Sequence, residues 1–172
     1  MALKGVFTIE NLDEIRNKKG FICDMDGVIY HGNRLLPGVK EFVEWLYKED
    51  KKFLFLTNSS DRSPRDLQQK LQRMGLDIDE THFYTSAQAT ARFLNSQSPG
   101  CSAYVMGEAG LMNALYEVGI TMNDSTPDYV VIGEPKSYDY EMIIKAVKLI
   151  QNGAKLVATN SDLTGPTENG II

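Results

Sequence analysis

Phe21-Ile22-Cys23-Asp24-Met25-Asp26-Gly27-Val28 runs from an apolar triplet straight into two carboxylates separated by one methionine. Successive apolar positions at 21–23 predict a short strand of the kind found in parallel sheets covered on both faces. Lys52-Phe53-Leu54-Phe55-Leu56 repeats the pattern and predicts a second central strand. Between them, Pro37 suits a first helical position, and Val39, Phe42, Val43 and Leu46 recur at helical spacing as one buried stripe. After the second strand, Ser63-Pro64 opens another helix with Leu67, Leu71 and Met74 inward, and Gly75 supplies a left-handed end. The result is a βαβα unit. Residues 83–85 predict a third strand, with Ser86 as N-cap of a helix that carries Ala91 and Leu94.

The segment 95–100, Asn-Ser-Gln-Ser-Pro-Gly, is a turn-rich break, and a second α/β series follows it. Strands are expected at 103–106, 129–132 and 155–158, with helices at 111–118 and 140–150 closed by Gly119 and Gly153. The fold class is therefore α/β. The expected organisation is two units, residues 1–85 and 86–172.

The chain has 172 residues, 18 Lys+Arg against 23 Asp+Glu, a net charge of −5 and 42% hydrophobic residues, a globular composition. Without a run of Lys or Arg, this acidic balance argues against nucleic acid and anionic membrane surfaces as partners. Cys23 and Cys101 lie in separate apolar segments without zinc-ligand spacing and read as buried small hydrophobes. The start has no long apolar stretch, and no window approaches the roughly 18 apolar residues of a membrane span. A cytoplasmic protein is expected.

Asp-x-Asp is common by chance among 12 aspartates, and Asp77-Ile78-Asp79 is a second instance, read as a solvated turn after Gly75. Asp24 and Asp26 differ by context. They end a strand that reads as buried, where two unpartnered carboxylates cost several kcal/mol, so a cation is expected to hold them. Two carboxylates at a strand end suit Mg²⁺, which takes oxygen ligands and substrate phosphate. Asp24 could then attack phosphorus, and Asp26 could protonate the leaving oxygen and later take a proton from water. Thr57 and Asn58, at the end of the neighbouring strand, offer donors to phosphoryl oxygens. Thr159-Asn160-Ser161-Asp162 echoes Thr57-Asn58-Ser59 at another strand end, where open α/β sheets place ligands.

The motif 21–30, Phe-Ile-Cys-Asp-Met-Asp-Gly-Val-Ile-Tyr, followed by Phe55-Leu56-Thr57-Asn58, resembles motifs one and two of the haloacid dehalogenase superfamily. Residues 84–87, 104–108, 128–134 and 158–162 extend the resemblance to its NagD-like, para-nitrophenylphosphatase-type branch, whose members act on sugar or nucleotide phosphates. The resemblance implies a Rossmann-like parallel-sheet core with an inserted α/β cap beginning near residue 86. It implies Asp24 as nucleophile, Asp26 as general acid/base, and Mg²⁺ on Asp24 and the Asp26 backbone carbonyl. Thr57 would hold the phosphoryl group with Asn58 beside it. Residues 27–36 would form a small flap with His31-Gly32-Asn33 at a hairpin tip, His31 itself being an exposed turn residue. The loop 159–170, with Thr159, Asn160 and Asp162, would meet the substrate and set specificity. The expected partner is a small phosphorylated metabolite, and caps of this branch take part in dimers, which admits a homodimer.

The family also uses a later lysine and a later Gly-Asp segment, and no Gly-Asp dipeptide occurs here. The expectation is therefore a fragment of a longer phosphatase, inactive alone, with 21–23 left as an exposed apolar edge. The alternatives are a phosphotransferase of the same superfamily and a non-catalytic α/β module that binds a ligand or oligomerises.

Overall fold

The computed structural model describes residues 12–162, 164, 166, 167, 170 and 171, with the side chains of the last four left aside. A short helix α1 (Leu12–Arg16) precedes strand β1 (Gly20–Asp24) and a hairpin of β2 (Tyr30–His31) and β3 (Arg34–Leu35). Helix α2 (Val39–Lys48), strand β4 (Lys52–Thr57), helix α3 (Pro64–Arg73) and strand β5 (Phe83–Thr85) follow. β1, β4 and β5 form a parallel three-stranded sheet with β4 in the middle. α2 contributes Val43 and Leu46 and α3 contributes Leu67 and Leu71 to one core with Phe53, Phe55 and Phe83.

The predicted elements are present, with instructive differences at their ends. α2 starts at Val39 rather than at Pro37, because Gly38 adopts a left-handed φ of 83° at the N-cap and turns the chain into the helix. α3 starts where expected: the Ser63 hydroxyl accepts the Asp66 N–H while the Asp66 carboxylate accepts the Ser63 N–H, a reciprocal capping box with Pro64 at the first position. Helix α4 (Ser86–Gln97) is capped by Thr85 rather than Ser86; Thr85 accepts from the Gln88 N–H, and Gln88 returns the bond. Strand β1 is an edge among the described residues, and Ile22 on its open face is 72% exposed.

The second series comprises β6 (Ser102–Met106), α5 (Ala109–Glu117), β7 (Thr121–Met122), β8 (Tyr129–Ile132), α6 (Tyr140–Gln151) and β9 (Lys155–Ala158). Its parallel sheet has the order β7-β6-β8-β9. Ala91 and Leu94 of α4, with Leu111 and Leu115 of α5, cover one face of this sheet, and Ala146 and Leu149 of α6 cover the other. β10 (Pro166–Thr167) and β11 (Gly170–Ile171) pair as a small antiparallel ribbon. No helix among the described residues is long and apolar enough to cross a membrane.

Candidate functional site

Parallel pairing aligns the carboxyl ends of β1 and β4: Asp24, the last residue of β1, pairs with Leu56, and Thr57 follows. Asp24 is exposed, and its Oδ1 accepts the Met25 N–H at 2.8 Å. The chain then closes a tight loop. Met25 O accepts from Ile29 N–H at 2.9 Å and Tyr30 N–H at 3.3 Å, and Gly27 N–H donates to Tyr30 O at 2.8 Å. Gly27 has φ +80°, a backbone that glycine adopts without strain and that this return requires. The loop lays Tyr30 beside Asp26, and the phenol donates to Asp26 Oδ2 at 3.3 Å.

Tyr30 is 1% exposed, with Lys70 Nζ 3.6 Å from its ring centroid. Burial, followed by the charge of Asp26 and the hydrogen bond to it, pushes the Tyr30 phenol far above its ordinary pKa. Burial likewise raises the thiols of Cys23 and Cys101, both free; Cys101 is buried as expected, while Cys23 is only half-buried. The hairpin tip is as expected, with His31 exposed. Asp77 and Asp79 are turn residues: Asp77 accepts from Gln72 Nε2 at 2.8 Å and Asp79 from the Thr81 N–H at 3.0 Å.

One expectation needs correction. The carboxylates were expected to be trapped at a buried strand end, yet Asp24 is exposed and Asp26 half-buried, because β1 lies at the sheet edge. The penalty for leaving them without a cation is therefore small. Their chemistry still fits Mg²⁺: the donors are hard oxygens two residues apart at a strand end, and such an ion needs only one or two carboxylates with water and substrate oxygens. Among the described residues no three His, Cys, Asp or Glu side chains form a closed cage.

Thr57 is buried, and its hydroxyl accepts the Ser59 N–H at 3.1 Å. Beyond it the ends of β8 and β9 meet the end of β4. Asn58 O accepts from Ser86 Oγ at 2.7 Å and from Asn160 Nδ2 at 3.1 Å, and Asn58 Nδ2 donates to Asp162. Thr159 Oγ1 donates to Ser60 Oγ at 3.2 Å, and Ser60 Oγ, fully buried, also accepts the Glu134 N–H at 3.2 Å. The Glu134 carboxylate takes Ser59 Oγ at 2.9 Å on one oxygen and Asn160 Nδ2 at 2.8 Å on the other. At the rim of this seam, Gly110 N–H donates to Asp61 O at 3.3 Å.

The structure thus brings Thr159, Asn160 and Asp162 together with Asn58 and Ser60, and separately brings Asp26 together with Tyr30. No direct hydrogen bond links these two groups among the described residues. Residues 163, 165, 168 and 169 of the expected specificity loop lie outside the described residues, as do residues 1–11 and 172. Sequence reasoning missed Tyr30, Ser60, Gly110 and Glu134 as site-forming residues. Gly133-Glu134 directly after strand β8 was the available signal for the last. A cavity of about 410 Å³ lined by Asp128, Asn152 and Lys155 opens at the amino ends of β8 and β9. Ligands of parallel sheets bind at the carboxyl ends, so this cavity is no part of the candidate site.

A parallel α/β sheet with two aspartates and a threonine at adjacent strand ends is the framework of a haloacid dehalogenase-like hydrolase. The sequence profile of that family matches residues 21–121, and the chain belongs to it. Over 152 residues the chain is 43% identical to the dihydroxyacetone phosphatase of Corynebacterium glutamicum, covering 88% of this chain and 55% of that protein. The structure of NagD from Escherichia coli superposes with a TM-score of 0.81 at 40% identity, over 89% of this chain and 61% of NagD. A glycerol phosphate phosphatase from Mycobacterium tuberculosis, solved with magnesium, superposes at 0.82 and 28% identity, over 90% of this chain and 47% of that one. The chain thus spans about half to three-fifths of the length of these relatives.

Proposed function

We propose that the protein is a Mg²⁺-dependent phosphatase of small phosphomonoesters, sugar or nucleotide phosphates, that works through an aspartyl-phosphate on Asp24. The observation that carries this reading is the placement of Asp24 and Asp26 at the end of β1 beside Thr57 at the end of β4. The phosphatase names of the relatives and the magnesium in one related structure support it. Asp24 and the backbone carbonyl of Asp26 would hold Mg²⁺, which when bound neutralises charge that otherwise keeps a phosphate from a carboxylate.

A carboxylate oxygen of Asp24 attacks phosphorus, the ester P–O bond breaks, and the Asp26 carboxyl gives its proton to the departing oxygen. Asp26 then removes a proton from water as its oxygen attacks the phosphorus, releasing inorganic phosphate and the Asp24 carboxylate. The Thr57 hydroxyl and the Asn58 amide would hold phosphoryl oxygens. In this reading residues 1–85 belong to the catalytic core and 86–172 to a cap, with Thr159, Asn160 and Asp162 at the substrate side of the seam. A cytoplasmic enzyme, a small phosphorylated partner and a homodimer through the cap complete the proposal.

The test uses the complete encoded polypeptide with p-nitrophenyl phosphate and a panel of sugar and nucleotide phosphates, with and without Mg²⁺. Mg²⁺-dependent release of phosphate and a trapped phosphoryl group on Asp24 are expected. Undiminished turnover by Asp24→Asn would overturn the mechanism. Ligand or Mg²⁺ binding without turnover would instead establish a non-catalytic module.

A further inference from the structure

Tyr30 is large, almost completely buried and packed in the first core, a place where phenylalanine would fill the same volume. Its hydroxyl is therefore the feature to explain. A buried phenol needs a partner, and this one donates to Asp26 Oδ2. The geometry is built by the backbone: Asp26 bridges to Tyr30, Gly27 N–H closes on Tyr30 O, and Leu36 N–H closes on Ile29 O at 3.0 Å. Tyr30 pairs with Leu35 across the hairpin, which fixes its backbone.

We propose that Tyr30 is a positioning residue for Asp26: its hydroxyl anchors Oδ2, so that Oδ1 is the oxygen presented to the leaving group and then to water. This rests on the reading of Asp26 as general acid/base. At 3.3 Å the bond is long for O–H···O, as catalytic hydrogen bonds often are before substrate arrives. A carboxyl anchored at one oxygen loses its rotation about the terminal bond and meets the ester oxygen in one orientation. Proton donation matters in proportion to how poor the leaving group is, so the effect of Tyr30 must depend on the substrate.

Tyr30→Phe in the complete polypeptide tests this by comparing p-nitrophenyl phosphate, whose leaving group needs little protonation, with glycerol phosphate, whose alkoxide needs it. The variant keeps the ring and its contact with Lys70. Expected is a fall in kcat/KM, which reads only as far as departure of the leaving group and not the later water step shared by both substrates, of about tenfold or more for glycerol phosphate, a modest share of what a general acid supplies. For p-nitrophenyl phosphate the fall should stay below about threefold. In an Asp26→Asn background, Tyr30→Phe should add nothing, because the carboxyl to be positioned is gone. Equal losses for both substrates, or a full additional loss in the Asp26→Asn background, would overturn the proposal and leave the phosphatase reading intact. Full activity of Asp26→Asn on both substrates would instead remove the underlying reading. Phenylalanine fills the same volume, so a melting curve like the parent's is expected for Tyr30→Phe, and the losses then read the hydroxyl alone; a variant that does not fold would count against a purely positioning role.

Discussion

Gly110→Ala adds one methyl group where the two sheets touch. Its Cβ would stand 2.6 Å from Arg62 C and 2.7 Å from Arg62 N and Asp61 C. These are backbone atoms that cannot swing aside as a side chain does, so α5 or the 61–62 segment must move. Overpacking of this kind costs about 1–3 kcal/mol. Opposing it, alanine is favoured over glycine inside a helix by about 0.8–1 kcal/mol. Gly110 is the second residue of α5, so it gains no more than that. The steric cost exceeds the gain over most of its range, with a net loss of up to about 2 kcal/mol, or about 2–4 °C in Tm for each kcal/mol. Calorimetry of the complete polypeptide reads the loss, and hydrogen exchange at the Glu134 amide, bonded across the seam to Ser60 Oγ, locates it. Ala109→Gly at the exposed neighbouring position measures the helix-propensity contribution alone. A raised Tm for Gly110→Ala with unchanged exchange at Glu134 would refute the steric argument.

Ser60→Ala leaves the Glu134 N–H and the Thr159 hydroxyl without their shared acceptor. Urea denaturation should show a loss of about 1–3 kcal/mol, and a change under 0.5 kcal/mol (about the noise of additivity) would mean that water replaces Ser60 at no cost. The Ser63 hydroxyl, and after it the Ser63 N–H, hold the Asp66 carboxyl below its ordinary pKa. A depressed folded value means that the contribution is complete above the unfolded pKa of about 3.9 and is lost as pH falls through the lower folded value. Ser63→Ala should cost about 1 kcal/mol at neutral pH, and its difference from the parent should shrink in acid; a difference independent of pH between 6 and about 2.5 would contradict the assignment.

Much of the fold could be read from the sequence because it is local. The Ser63-Pro64-Arg65-Asp66 box, the apolar stripe of α2 and the strands β8 and β9 are each written within a dozen residues. The Asp24-x-Asp26 pair and the edge position of β1 were both legible, but together they mean exposed carboxylates, the opposite of the buried strand end that the apolar triplet 21–23 suggests. The shift of the α4 cap to Thr85 has a simple cause: one residue serves as the end of β5 and as a cap, and Thr85-x-x-Gln88 is a capping box that the strand assignment concealed. The seam was legible only as two similar polar strand ends, 57–59 and 159–162, and not as the bonds that join them. Ser60 bonds residue 134 and residue 159, separations over which periodicity carries no information. Tyr30 stood in the quoted motif, but only the folded loop shows that its hydroxyl faces Asp26.

The hydrogen bonds between the end of β4 and the ends of β8 and β9 are made by serine, asparagine, threonine and carboxylate groups. Separating these groups exposes polar area, which lowers the heat capacity and offsets the rise that apolar exposure brings. The opening equilibrium of the two sheets should therefore follow a nearly straight van 't Hoff line, while each sheet's own unfolding keeps the curvature of an apolar core.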